Sequence, residues 1–112
     1  MFEIKKSSRA FYIKFPDNTK AYLLFNIKGN TMELLETYTP PKYRGKGIAS
    51  KILEHALMFA RKNNLKVKPV CSYSIYFFIK HPEYRELLVE DLKNYNLEKL
   101  FQQRLNEERS KK

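Results

Sequence analysis

Cysteine occurs once, at Cys71, so no disulfide can close within the chain. No set of cysteines and histidines has metal-ligand spacing, and His55 and His81 stand apart without a partner pattern. No run approaches the roughly 18 consecutive apolar residues that a membrane span needs. The start, Met1-Phe2-Glu3-Ile4-Lys5-Lys6, carries charge where a signal peptide has its apolar segment. Internal repeats and low-complexity linkers are missing as well. Together these absences predict a soluble, cytoplasmic protein with neither a structural metal nor a cross-link to hold it.

Acidic residues are also scarce: 12 Asp and Glu face 22 Lys and Arg, a formal charge of +10. Such a field attracts phosphorylated cofactors, nucleic acids or acidic proteins alike. The basic residues are spread along the chain, as on any solvated surface, and no RNA- or DNA-binding motif accompanies them. A small basic nucleic-acid-binding protein, stacking bases on its eight tyrosines, is therefore the weaker alternative. With 112 residues, 43% of them apolar and 14% aromatic, the chain can bury one core and is not disordered.

The pattern of apolar residues changes period once. Phe2 to Lys5, Ala10 to Phe15, Ala21 to Lys28 and Thr31 to Thr39 read as strands, with Pro16-Asp17-Asn18 and Gly29-Asn30 as turns between them. Pro40-Pro41 stops the meander. From Gly47 to Asn63, Ile48, Ile52, Leu53, Ala56, Leu57 and Ala60 recur at helical spacing. Leu65 to Val70 reads as a strand whose Pro69 argues for an edge or a splay. Ser72 to Lys80 reads as a short helix broken by His81-Pro82, with a second over Glu83 to Glu90. Residues 91–112 carry a sparse apolar stripe of Leu92, Leu97, Leu100, Phe101 and Leu105. Asn96 suits the N-cap of a helix there, and Asn106 to Lys112 is expected to fray. The order ββββ-α-β-α-α predicts an α+β fold, with residues 1–90 as the domain and 91–112 as a helical extension.

The most telling segment lies between the fourth strand and the long helix: Pro40-Pro41-Lys42-Tyr43-Arg44-Gly45-Lys46-Gly47-Ile48-Ala49-Ser50. Glycines at a strand-to-helix junction let the backbone approach a ligand closely, and the helix start behind them offers unpaired N–H groups. Those donors, the helix dipole and the local Lys and Arg charge suit a pyrophosphate. A parallel βαβ nucleotide fingerprint is ruled out, because an antiparallel meander precedes the glycines.

The motif Arg44-x-x-Gly47-x-Ala49, at this place in the strand order, resembles the pyrophosphate signature of the GNAT acyltransferase superfamily. Three further stretches look like its small YjdJ-type branch: Thr37-Tyr38-Thr39-Pro40-Pro41, Val67-x-Pro69-x-Cys71-Ser72-Tyr73 and Lys80-His81-Pro82-Glu83-Tyr84. The resemblance spans residues 2 to 90. It implies a GNAT-like fold that binds acetyl-CoA and transfers acetyl to an amine acceptor, a small molecule or a protein amine. It also implies a pyrophosphate held by Arg44, Gly45, Lys46, Gly47, Ile48, Ala49 and Ser50, with Lys80 meeting a CoA phosphate. The pantetheine arm would lie along the edge of Tyr38 and Thr39.

The same resemblance makes Cys71-Ser72-Tyr73 an active-site motif, with Cys71 either carrying the acyl group or lying near the thioester. Aligned with the wider superfamily, Phe78 stands where the proton-donating tyrosine is found and has no hydroxyl. Tyr73 or Tyr76 must then replace it, or the thiolate needs no acid. Glu33 and Glu36 lie on the strand where GNAT bases sit, and strand parity puts them on opposite faces. His81 reads as a helix-boundary residue. Other readings stay open: a CoA-binding module without catalysis, and a homodimer formed through the C-terminal helix.

Overall fold

A computed structural model of the chain describes residues 2–110. Five strands, β1 (Lys5–Lys6), β2 (Ala10–Lys14), β3 (Lys20–Lys28), β4 (Thr31–Tyr38) and β5 (Lys66–Pro69), form one sheet in chain order. The first four are antiparallel, and β5 joins β4 in parallel. The parallel step requires a crossover, which α1 (Ile48–Lys62) provides. Ile52, Leu53, Ala56, Leu57 and Ala60 of α1 are buried with Phe11, Leu23, Phe25, Met32 and Leu34 of the sheet in one core.

The turns follow from their residues. Asp17 accepts bonds from the N–H and hydroxyl of Thr19, and Gly29 takes φ 56° between β3 and β4. The Thr19 bonds hold the Asp17 carboxyl below its usual range. The first strand is shorter and later than the sequence suggests. Only Lys5–Lys6 pairs, with Phe11 and Tyr12, while the ring of Phe2 packs edge-on against Phe15 at 4.9 Å. Phe2 stays largely exposed, and its one edge-on contact lies outside the ladder.

Two irregularities in β4 shape everything that follows. Leu24 of β3 pairs with Glu36 and Phe25 with Leu34, so Leu35 is an extra residue, a β-bulge. The bulge corrects the parity argument: Glu33 pairs with Asn26 and Glu36 with Leu24, two residues apart, so both glutamates share one face. Pairing of β4 with β5 ends at Leu34 and Pro69. The N–H groups of Val70 and Cys71 both turn onto the Leu34 carbonyl, at 2.8 and 3.2 Å. Residues 35–38 of β4 continue without that neighbour, and a cleft opens between the strands.

Beyond β5 come α2 (Ser72–Lys80), a 3-10 turn (Pro82–Leu87), α3 (Glu90–Lys93) and α4 (Leu97–Ser110). The Asn96 side chain accepts the N–H of Lys99 at 3.0 Å, the expected cap of α4. Leu97 is fully buried, and the ring of Phe101 lies 5.7 Å from that of Tyr76, so the apolar stripe is spent on α2 of the same chain. Asn106 to Ser110 are helical rather than frayed, because Glu108 is bound to Ser72. Lys111 and Lys112 lie outside the described residues. Among the described residues no helix is long and apolar enough to cross a membrane.

Candidate active site

The segment joining β4 to α1 is built to stay open. Pro40 is buried, and the ring of Tyr43 stacks on Phe15 at 3.6 Å and 9°, anchoring a short 3-10 turn (Pro41–Tyr43). Gly45 and Gly47 then take φ 79° and 75°, a left-handed conformation that side chains resist. Gly47 is the N-cap of α1, with no side-chain cap, and the helix's first backbone bond runs from Lys51 N–H to Gly47 O at 3.1 Å. The N–H groups of Ile48, Ala49 and Ser50 therefore have no acceptor within the helix. They point out of a positive helix end with no acidic residue in its first turn.

Arg44 is held in a way its sequence position does not foretell. Its Nε donates to the Thr39 carbonyl at 2.8 Å, and its guanidinium carbon lies 5.8 Å from the centre of the Tyr38 ring. The cation is folded back across the loop, toward the end of β4.

Two cavities meet at this point. One, about 440 Å³, is lined by Thr37, Tyr38, Thr39, Tyr43, Arg44, Gly45, Gly47, Ile48, Ala49, Ser50 and Tyr73. The second, about 600 Å³, fills the cleft between β4 and β5 and is lined by residues 35–37, Val70, Cys71, Ser72, Tyr73, Arg104, Glu107, Glu108 and Ser110. Thr37 and Tyr73 line both, so the two are ends of one groove. Of the residues singled out in the sequence, Tyr38, Thr39, Arg44, Gly45, Gly47, Ile48, Ala49, Ser50, Tyr73 and Cys71 come together here. Lys46 lines a small apolar pocket beside the loop, with Phe2 and Lys51. Lys80 is not brought to the groove. It sits at the far end of α2, about 13 Å along the helix from Cys71, with its ammonium 5.5 Å from the Tyr76 ring.

Cys71 is the N-cap of α2 and is 8% exposed. Its thiol donates to Ser74 Oγ at 3.3 Å, and that hydroxyl in turn donates to the Cys71 carbonyl at 2.7 Å. Ser74 is the buried polar residue that fixes the sulfur's orientation. Tyr73 is half-buried, and burial raises its phenol above the ordinary tyrosine value; the neighbouring Tyr76 and Cys71 add to this, against a lowering bond with Ser50. Tyr76, the other tyrosine considered as an acid, is exposed and turned to Phe101, and Phe78 is fully buried in the core. His81 is the C-cap of α2, its ring tilted against Phe77 and 3.4 Å from Glu83, as a boundary residue. Glu36 accepts the Tyr22 hydroxyl at 3.1 Å and lines the cleft, while Glu33 bonds Asn26. That α4 walls the cleft was invisible in the sequence. A polar last turn gives no apolar periodicity by which to dock it.

A family profile described as GCN5-related N-acetyl-transferase matches residues 10–87. The chain is 35% identical to Protein NATD1 of Danio rerio over 92 residues, covering 78% of this chain and 83% of that one. Its fold superposes on the solution structure of a GCN5-like candidate N-acetyltransferase from Staphylococcus aureus with a TM-score of 0.66. That similarity is at 25% identity and covers 85% of this chain and 97% of the other. The five-stranded sheet and its helices are the GCN5-like architecture, and the chain belongs to the GNAT superfamily of GCN5-related N-acetyltransferases.

Proposed function

We propose that the protein binds acetyl-CoA in the groove and transfers its acetyl group to a primary amine that enters through the cleft between β4 and β5. The observation that carries this reading is the single groove running from the unspent N–H groups of residues 48–50 to Cys71, with Tyr73 on both halves. Acetyl-CoA supplies the acetyl group as a thioester, whose carbonyl carbon an amine can attack.

The residues fit such a ligand. The N–H groups of Ile48, Ala49 and Ser50 suit pyrophosphate oxygens, and the Arg44 guanidinium supplies countercharge. The unpaired edge of β4 at Thr37 to Thr39 offers backbone donors and acceptors to an extended amide arm. Cys71 and Tyr73 then flank the reacting end. Tyr73, kept protonated by its burial, is the group suited to return a proton to the departing sulfur. Glu36 is the carboxylate on the cleft side that could take the proton from the incoming amine. Cys71 lies near the thioester and shapes its surroundings. A covalent acyl-cysteine remains the rival route.

Release of free CoA from acetyl-CoA, followed with a panel of small amines and lysine peptides, tests the reading. Direct transfer predicts that Cys71→Ala retains transfer within about tenfold, the cost of a lost contact rather than of a lost nucleophile. Loss of turnover to the solvent rate in the folded variant would contradict direct transfer. Binding of acetyl-CoA without release to any amine would reduce the protein to a CoA-binding module.

A further inference from the structure

The family match ends at residue 87, yet the far end of α4 reaches into the cleft beside Cys71. Both oxygens of Glu108 are used there: one accepts the backbone N–H of Ser72 at 2.9 Å, the other its hydroxyl at 2.6 Å. Ser72 is the first residue of α2, whose own N-cap, Cys71, provides no side-chain cap. Glu108 thus supplies from 36 positions away the carboxylate that a helix start favours.

Ordinary surface packing does not explain the contact. Residues 106–110, Asn-Glu-Glu-Arg-Ser, contain nothing apolar to press that turn onto the domain. The Ser72 and Glu108 side chains are part-buried, and the bonds between them are short and charge-assisted. The neighbouring Arg104 pairs with Glu107 at 2.8 Å on the same wall. Opposite them, across the cleft, stand Leu35 to Thr37 of β4.

We infer that Glu108 is a positioning residue of the active site. By bridging α4 to the first turn of α2 it holds Cys71 toward the groove and fixes α4 as the wall against which the acceptor amine is seated. The inference rests on the reading that the cleft receives the acceptor. It assigns acceptor capture to a segment outside the family match, and leaves the phosphate-binding half of the groove, on the other side of Tyr73, untouched.

Because Cys71 is the sole cysteine, its alkylation by iodoacetamide in the folded protein reports on this one turn without ligand or turnover. Glu108→Ala should alkylate about tenfold faster than the wild type, the equivalent of one charge-assisted hydrogen bond. Glu108→Gln, whose amide oxygen still accepts from Ser72, should stay close to the wild-type rate. With an accepted amine, the acceptor KM should rise about tenfold in Glu108→Ala and recover in Glu108→Gln. The rise in melting temperature produced by acetyl-CoA should be the same in all three. Asn96→Ala, which loosens α4 from its other end, controls for general destabilisation. An unchanged alkylation rate in Glu108→Ala would overturn the inference, as would an equal acceleration in Asn96→Ala. Failure of acetyl-CoA to bind the wild type would remove the reading of the groove, while the alkylation rates still decide whether Glu108 positions α2.

Discussion

Tyr73 shows how one side chain can serve both halves of the groove. Burial raises its phenol above the ordinary tyrosine value, which favours the neutral, proton-donating form. Tyr73→Phe keeps the ring that lines both cavities and removes the proton. Turnover in the variant should fall by about a hundredfold, the lower range for a general acid, with little change in acetyl-CoA affinity. Steady-state kinetics beside a binding isotherm checks both. The sign of the shift also fixes a stability effect. A phenol favoured in its neutral form by folding stabilises the protein fully below its ordinary value near 10, and that contribution disappears as pH rises through the raised value. Alkaline unfolding should therefore begin at higher pH in Tyr73→Phe than in the wild type.

Gly47 is the other decisive residue. A Cβ there would meet no heavy atom within 4 Å, so the cost of a side chain is backbone strain alone. Gly47→Ala should lose about 1–2 kcal/mol, the penalty for placing an L-residue in the left-handed region. Gly47→Asn should lose less, since asparagine tolerates that conformation. Chemical denaturation of the three proteins distinguishes them. The turn at Gly47 was legible from sequence, because a glycine between a strand and a helical run suits the left-handed backbone found there. The folding back of Arg44 onto the Thr39 carbonyl was not legible, since a long side chain's partner depends on the loop's path.

At the level of elements, local signals were readable where local physics decides. The 3.6-residue period of Ile48 to Ala60 and the breaker His81-Pro82 bounded α1 and α2 to within a residue. Strand faces were not readable in β4, because parity fails at a bulge, and nothing about Leu35 announces that it is the extra residue. Pro69 was a fair guide to the cleft, since pairing of β4 with β5 stops beside it. The docking of α4 was half legible. Asn96 and the stripe Leu97, Leu100, Phe101 predict a helix against the domain, but Glu108 on Ser72 is a contact between distant positions. Asn96→Ala should cost about 1 kcal/mol through loss of the cap, lowering the melting temperature by several degrees. Differential scanning calorimetry measures it.

For the whole molecule, the charge of +10 and the groove offer different explanations of what the protein binds. A basic surface attracts any polyanion, and such attraction falls steeply with salt. The groove as proposed would be selective, because its donors are backbone N–H groups fixed by Gly45, Gly47 and the start of α1. The family assignment supports the groove, and the placement of Arg44, Tyr73 and Cys71 along it gives that support a geometry. The measurement that bears most directly on it is thermal unfolding at moderate salt with acetyl-CoA, desulfo-CoA or duplex DNA, in the wild type and in Gly47→Ala. At about 100 times its dissociation constant a ligand adds roughly 2.7 kcal/mol, several degrees for a domain of this size. The account predicts that rise with acetyl-CoA and with desulfo-CoA, a smaller one in Gly47→Ala, and almost none with DNA. No rise at saturating acetyl-CoA, or a rise with DNA alone, would contradict it.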